Sequence, residues 1–426
     1  MNDVVLAHDA KTARDFLSST AEASCYSLRR IRMSAQEDWR LVDGALSHKT
    51  GGFFSVAGVR GKQTPDDEHL MLYQPQSALT GLILCRSQET VFVLLQARVE
   101  PGNTGVIQYG PTIQSTPANY LRLHGGRTTS YVDRFTEFRP GTRLLTHSMQ
   151  LDLGCRYFQK SKTHHYLEVD ELIDCAENMI WVSTDALSEL LFDDNLLNAD
   201  LRSLLAVFDW TSYLECTGKT DSIAADLALA RTVGDRRLAP GSYELVPLDA
   251  LAGWRINEDG IPMSAGCGVG IYEFSCTNRE VKAWTQPLFE VERRGLVQLL
   301  LRSADDRIEC LVSVAIEPGL STDHALYPSY CRTPLREIDP AVQPDDGELI
   351  ACIVQCDEGG RFYHNDSLYE LRWASDTQHQ GASQAWIGLS DLIALLRASN
   401  RASFQLRCAV SMLLPRMHQV FSRPGS

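Results

Sequence analysis

The sequence predicts an α+β protein of two tandem modules of similar fold, each a mixed sheet with flanking helices, related by internal duplication. Three observations predict it. Short apolar runs alternate with polar turns through most of the chain, leucines recur at helical spacing over residues 189–208, and the second half repeats the first. The repetition is the strongest of the three. Trp181 matches Trp386, and at the same separation of 205 residues Gln150 matches Gln355, Gly154 matches Gly359, Arg156 matches Arg361, Asn195 matches Asn400 and Arg202 matches Arg407. Chance does not hold one separation over such a span. Upstream, Trp39 is echoed by Trp254, Gln74-Pro75 by Gln286-Pro287, and Glu100-Pro101-Gly102 by Glu317-Pro318-Gly319.

Residues 1–30 carry apolar positions near the helical period and read as a helical arm packed on the first module. Strands follow at 51–60, 70–74, 82–85 and 91–99, with a polar turn at Thr64-Pro65-Asp66-Asp67. Residues 141–153 are mixed, and 189–208 read as a helix pair or one kinked helix. Thr217-Gly218-Lys219-Thr220-Asp221 is the clearest polar break near mid-chain. It divides the chain into an N-terminal module at 1–215, a linker at 216–240 and a C-terminal module at 241–426.

The chain has 426 residues, 44% of them hydrophobic, enough for two ordinary cores. A formal net charge of -14 argues against nucleic acid or anionic membrane as partners. No run of eighteen apolar residues occurs, and the N-terminus lacks a basic-then-apolar segment, so the expected location is the cytoplasm. The 12 cysteines are scattered without a CxxC pair and read as reduced core thiols. His164-His165 would point to opposite faces of a strand; the pair reads as loop, and no metal site is expected.

Residues 91–126 open as an alternating apolar strand and turn abruptly polar. Uncharged hydrogen-bonding side chains at this density suit a pocket for a polyhydroxylated ligand. In the second copy Gln96 and Arg98 become Ser313 and Ala315, Asn103 becomes Leu320, and the tract beyond shrinks. One working site in the first module and a degenerate or auxiliary one in the second is the economical inference.

The tract QARVEPGN...QYGPTIQSTPANYLRLHGG, the upstream GGFFSVAGVR, the downstream WVSTDALSELLFDDNLLNADLRSLL and the second-half DEGGRFYH together resemble the NDP-hexose 2,3-dehydratases of deoxysugar biosynthesis. The resemblance implies two Nudix-like modules per subunit, a homodimer, and a lyase without a cofactor, acting on an NDP-4-keto-6-deoxy-hexose. The product would pass to an NADPH-dependent 3-ketoreductase. The clustered glutamates of a Nudix hydrolase helix are missing, Arg279-Glu280-Val281 being the nearest fragment, so metal-dependent hydrolysis is not expected. The chain departs from the family in having fewer basic residues over 150–160 and in the shortened second tract. These departures leave a second reading open, a non-catalytic nucleotide-sugar binding protein.

In a 4-keto sugar the C3 proton is acidic, and its removal gives an enolate that expels the C2 hydroxyl as water. The enol then tautomerises to a 3,4-diketo-2,6-dideoxy sugar. Such a site needs a base, a proton donor and hydrogen-bond donors on the C4 oxygen. His124, which titrates near neutrality, Tyr120 and Glu100 are the candidate acid and base groups. Gln96, Asn103, Gln108, Thr112, Gln114 and Asn119 are candidate hydrogen-bonders, with Gly125 and Gly126 allowing close backbone approach. Arg98, Arg122, Arg127 and Arg156 are the cations for a diphosphate. Arg361 and His364 are assigned to a second, vestigial ligand patch.

Overall fold

Alternating apolar residues bounded by turns fold as strands here, and the leucine-rich runs fold as helices behind them. The computed structural model describes residues 3–123, 125–137, 139–214, 242–304, 307–375 and 380–414. His124 and the 216–240 linker lie outside the described residues. The first half supplies β1 (Leu6–Ala7), α1 (Ala10–Ala23), β2 (Tyr26–Ile31), β3 (Trp39–Val42), β4 (Ala45–His48), β5 (Ser55–Gly61), β6 (Glu68–Tyr73), β7 (Ala78–Ser87), β8 (Thr90–Val99), β9 (Ile107–Gly110) and β10 (Ile113–Ser115). It continues with α2 (Pro117–Tyr120), α3 (Val132–Glu137), β11 (Thr142–Leu151), β12 (Ser161–Val169), β13 (Met179–Ser183), α4 (Thr184–Leu190), α5 (Ala199–Val207) and α6 (Trp210–Tyr213). The second half supplies β14 (Tyr243–Val246), β15 (Ile261–Ser264), β16 (Cys267–Cys276), β17 (Ala283–Val291), β18 (Gly295–Ala304), β19 (Arg307–Ala315), β20 (Ala325–Pro328) and β21 (Tyr330–Arg332). There follow β22 (Leu349–Cys356), β23 (Phe362–Tyr363), β24 (Asp366–Trp373), β25 (Gln384–Gly388), α7 (Leu389–Arg397) and α8 (Phe404–Ser411).

The two halves build the same large mixed sheet. In the first, β8 pairs with β7, β9 and β13, β7 also takes β10, and β7 runs parallel to β12, which pairs with β11. In the second, β19 pairs with β18, β20 and β25, β18 also takes β21, and β18 runs parallel to β24, which pairs with β22. The duplication read from the sequence is thus a duplication of strand order. The 189–208 pattern is a helix pair, α4 and α5, each capped by a side chain, Ser183 on the Ala186 N–H and Asn198 on the Leu201 N–H.

Two expectations are corrected. The N-terminal helix ends at Ala23, and residues 26–31 form a strand, because the open edge of β16 offers six paired residues, from Tyr26 opposite Cys276 to Ile31 opposite Ile271. In exchange β14 joins the first half's small sheet beside β5. His164 and His165 lie within β12 rather than in a loop; His164 is fully buried and His165 half-buried, on opposite faces.

Many of the residues that keep the 205-residue separation cross between halves. The Gly102 N–H donates to the Gly359 carbonyl at 2.7 Å and the Gly319 N–H to the Gly154 carbonyl at 2.8 Å. Asn195 donates its N–H to Val354 and Asn400 to Met149, both from left-handed backbone with φ of 50° and 57°. Arg202 reaches Gln355 at 2.6 Å, and Arg407 reaches Gln150 at 3.5 Å. These reciprocal contacts bury polar groups with their partners. One hydrophobic core runs from Trp39 and Leu46 through Leu151 to Leu371 and Leu413, joining both halves. Of the eleven described cysteines, nine are buried. No helix among the described residues is long and apolar enough to cross a membrane.

Candidate active site

A cavity of about 420 Å³ opens where the two halves meet. From the first half it takes Arg98 on β8, Glu100, Gln114 on β10, Lys160, Lys162 on β12 and Asp200 on α5. The second half contributes Arg279, Glu280, Gln286, Glu358 and Arg361. Trp39, Phe53 and Trp284 add aromatic surface, and Asn119 and Leu123 lie along the rim. Strand β17, the turn between β16 and β17 and the turn before β23 carry the second-half groups, so the site exists only because the halves are docked.

Buried charge is paired here. Arg98 Nε bonds Glu100 Oε1 at 2.9 Å, with both side chains under a tenth exposed. Gln114 and Asn103 also donate to that carboxylate, at 3.3 and 3.4 Å. Burial alone would raise the Glu100 carboxyl, but the guanidiniums of Arg98 and Arg279 outweigh it and hold the group below the ordinary carboxylate value. Glu280 is treated likewise by Arg279 and Arg98 and falls to about 2 against its burial. Lys162 bonds Asp200 at 2.6 Å and Asp152 at 3.3 Å, and these carboxylates overcome burial to keep it firmly protonated.

Two groups behave differently. Burial pushes the Lys160 amine down to about 7, and the neighbouring Arg361 guanidinium adds to the effect. Burial pushes Glu358 up to about 7, with Arg361 opposing and Glu100 assisting. Lys160 hydrogen-bonds the Gln74 side-chain oxygen and sits 4.7 Å from the centroid of the Tyr157 ring. Glu358 accepts the N–H groups of Gly360 and Arg361 at 3.0 and 2.8 Å. A carboxyl and an amine that both exchange protons near neutrality, lining one cavity, are the groups suited to general acid and base work.

The sequence-derived candidates divide three ways. Arg98, Glu100, Gln114, Asn119 and Arg361 line the cavity, so Arg361 joins the first-half site and not a separate patch. Gln96 and Asn103 stand behind it, Gln96 accepting from Arg98 at 3.3 Å. The other candidates among the described residues do not line it. Gln108 bonds Asn195, and the Thr112 hydroxyl joins the Ile83 N–H to the Leu94 carbonyl inside the sheet. Arg122 turns back on the Gly126 carbonyl, and Arg127 pairs with Glu177 and the Arg279 carbonyl. Tyr120 and Gly125 belong to the same rim turn. Arg156 is buried against Asn365 and the Phe362 ring, at the place equivalent to Arg361. His364 holds a left-handed backbone, φ 48°, matched by Gln159 at φ 52° in the other half, and its N–H bonds Gly102.

Lys160, Lys162, Asp200, Arg279 and Glu358 were not foreseen. A signal for four of them was present: at the 205-residue separation Lys160 faces Asn365, Lys162 faces Ser367, Asp200 faces Gln405, and Glu358 faces Leu153. The loss of charge from one copy to the other marks the cavity more sharply than the polarity of the 91–126 tract.

The chain is similar in sequence to known proteins. The chain is 27% identical to a dTDP-4-dehydro-6-deoxy-alpha-D-glucopyranose 2,3-dehydratase of Streptomyces violaceoruber, over 81% of this chain and 83% of the relative. Relatives with the same name from Amycolatopsis orientalis and Saccharopolyspora spinosa are each 24% identical, over 94% and 93% of this chain and 89% and 90% of their own lengths. The sequence model of the NDP-hexose 2,3-dehydratases matches twice, at residues 10–208 and 235–413, one match to each half that contributes a wall of the cavity. By that double match across nearly its whole described length, the chain belongs to the NDP-hexose 2,3-dehydratase family.

Proposed function

We propose that the chain removes water across C2–C3 of a nucleotide-linked 4-keto-6-deoxyhexose, dTDP-4-dehydro-6-deoxyglucose being the substrate its relatives are named for. The neutral Lys160 amine takes the C3 proton. Glu358, protonated near neutral pH, gives its proton to the departing C2 hydroxyl, and the enol relaxes to a 3,4-diketo-2,6-dideoxy sugar. The observation that carries this reading is the pair of oppositely shifted groups, both near 7, on the walls of one cavity. Glu100, held anionic, orients Arg98 and Gln114. Arg98, Arg279 and Arg361 supply positive charge for the diphosphate and the C4 oxygen, and Trp39 and Trp284 supply flat surface for the base. Asn119 and Leu123, at the rim in the tract that carries Tyr120, border the sugar.

The wider setting follows the family resemblance. The two halves, 1–215 and 241–426 joined by 216–240, are Nudix-like modules, the working unit is a cytoplasmic homodimer, and an NADPH-dependent 3-ketoreductase consumes the product.

Proton exchange at C3 in heavy water separates the two roles, read beside turnover coupled to that reductase. Lys160→Met should abolish both exchange and turnover, by about a hundredfold or more. Glu358→Gln should keep exchange and lose elimination, because the enolate still forms but cannot shed hydroxide. Exchange that survives in Lys160→Met would rule out Lys160 as the base.

A further inference from the structure

We propose that Gln74 is a positioning residue for the reaction: its side-chain oxygen ties the Lys160 ammonium and the Arg361 guanidinium, one from each half, to a single uncharged acceptor, and so keeps Lys160 free of a carboxylate partner. The proposal rests on the reading of Lys160 as the base.

Gln74 follows β6, is 2% exposed and lies behind the cavity wall. Its Oε1 accepts from Lys160 Nζ and, at 3.1 Å, from Arg361 Nη2. Both cations also face Tyr157, Lys160 Nζ at 4.7 Å and Arg361 Cζ at 6.0 Å from the ring centroid, with Arg361 Nη1 3.5 Å from the phenol oxygen. The two cationic groups are therefore held side by side on one uncharged acceptor.

The charged groups around Lys160 are Arg361 and Lys162, which repel its proton, and Asp152 and Glu358, which attract it. Both carboxylates are engaged elsewhere. Asp152 takes the Lys162 ammonium at 3.3 Å and the Leu153 N–H at 2.9 Å. Glu358 takes two backbone N–H groups and pairs with Arg361 at 3.7 Å. A lysine on a carboxylate keeps its proton, whereas one sharing an amide oxygen with a guanidinium in a buried site gives it up readily. The second half repeats neither partner: it has Asn365 where Lys160 stands, and because Leu72 bonds the Arg156 carbonyl as Phe289 bonds that of Arg361, Val291 occupies the place of Gln74.

The test is the pH dependence of C3 exchange with saturating dTDP-4-dehydro-6-deoxyglucose in heavy water, which reports the base without the acid. Gln74→Glu sets a carboxylate between the cations and should move the rising limb upward by about one pH unit or more, with the alkaline plateau kept within about threefold. Gln74→Met removes the shared acceptor at similar volume, frees the Lys160 amine to turn to a carboxylate and should move the limb the same way, which keeps the test decisive if Gln74→Glu does not fold. A glutamine that only packs would lower the plateau and leave the limb in place. Exchange lost in Lys160→Met with the limb unmoved in both folded variants overturns the role of Gln74 alone; exchange retained in Lys160→Met overturns the base assignment beneath it.

Discussion

Glu358 and Lys160 each occupy a place that disfavours their charged form, and this ties stability to pH. The folded state prefers the neutral Glu358 carboxyl, so its contribution is complete below the unfolded value of 4.5 and is lost as pH rises through about 7. For Lys160 the neutral amine is preferred, so its contribution is complete above the unfolded value of 10.5 and is lost as pH falls through about 7. Glu358→Gln should therefore leave stability nearly unchanged at pH 5 and raise it by on the order of 2–3 kcal/mol at pH 8, read from denaturant midpoints. A gain that does not grow with pH would contradict the burial of that charge. Apart from the charge lost in the other copy, nothing local in the sequence marked Lys160 and Glu358, for the same reason that they matter. A single lysine or glutamate reads as solvated surface, and only the docking of two distant segments desolvates it. Arg98, Glu100 and Gln114 were legible because they crowd one short tract beside a buried strand.

At the scale of elements, the turn after each long strand is a joint between halves. A Cβ on Gly102 would stand 1.7 Å from the Phe362 carbonyl oxygen, and one on Gly319 would stand 2.0 Å from that of Tyr157. Backbone cannot step aside as a side chain can. Gly102→Ala should destabilise by about 3 kcal/mol or more, the range of severe overpacking. Gly105→Ala, whose Cβ meets nothing within 4 Å but whose φ is +79°, should cost only about 1 kcal/mol. Equal midpoints for the two variants would show that the joint yields. The Glu-Pro-Gly repetition announced these turns in the sequence. The partner of β2 could not be read there, because an edge strand pairs with whatever edge the fold presents, and that edge lies in the other half.

The whole molecule is two copies of one sheet that complete each other, sharing a core, exchanging a strand each way and enclosing one charged cavity. The matched pairs at 205 residues were visible in the sequence because the same contact is used twice, once in each direction. Expressed alone, a fragment ending near residue 214 should lack cooperative unfolding, and co-expression with the remainder should restore it. A first-half fragment with a sharp thermal transition of its own would show that the shared core is dispensable.

The strand exchange also sets a schedule for synthesis. Residues 26–31 leave the ribosome about 240 residues before their partner β16 is complete, an interval on the order of ten to fifty seconds at ordinary elongation rates. For that time the nascent chain carries a strand with no edge to join, and the adjacent charges of Arg29 and Arg30 disfavour its pairing with another copy of itself.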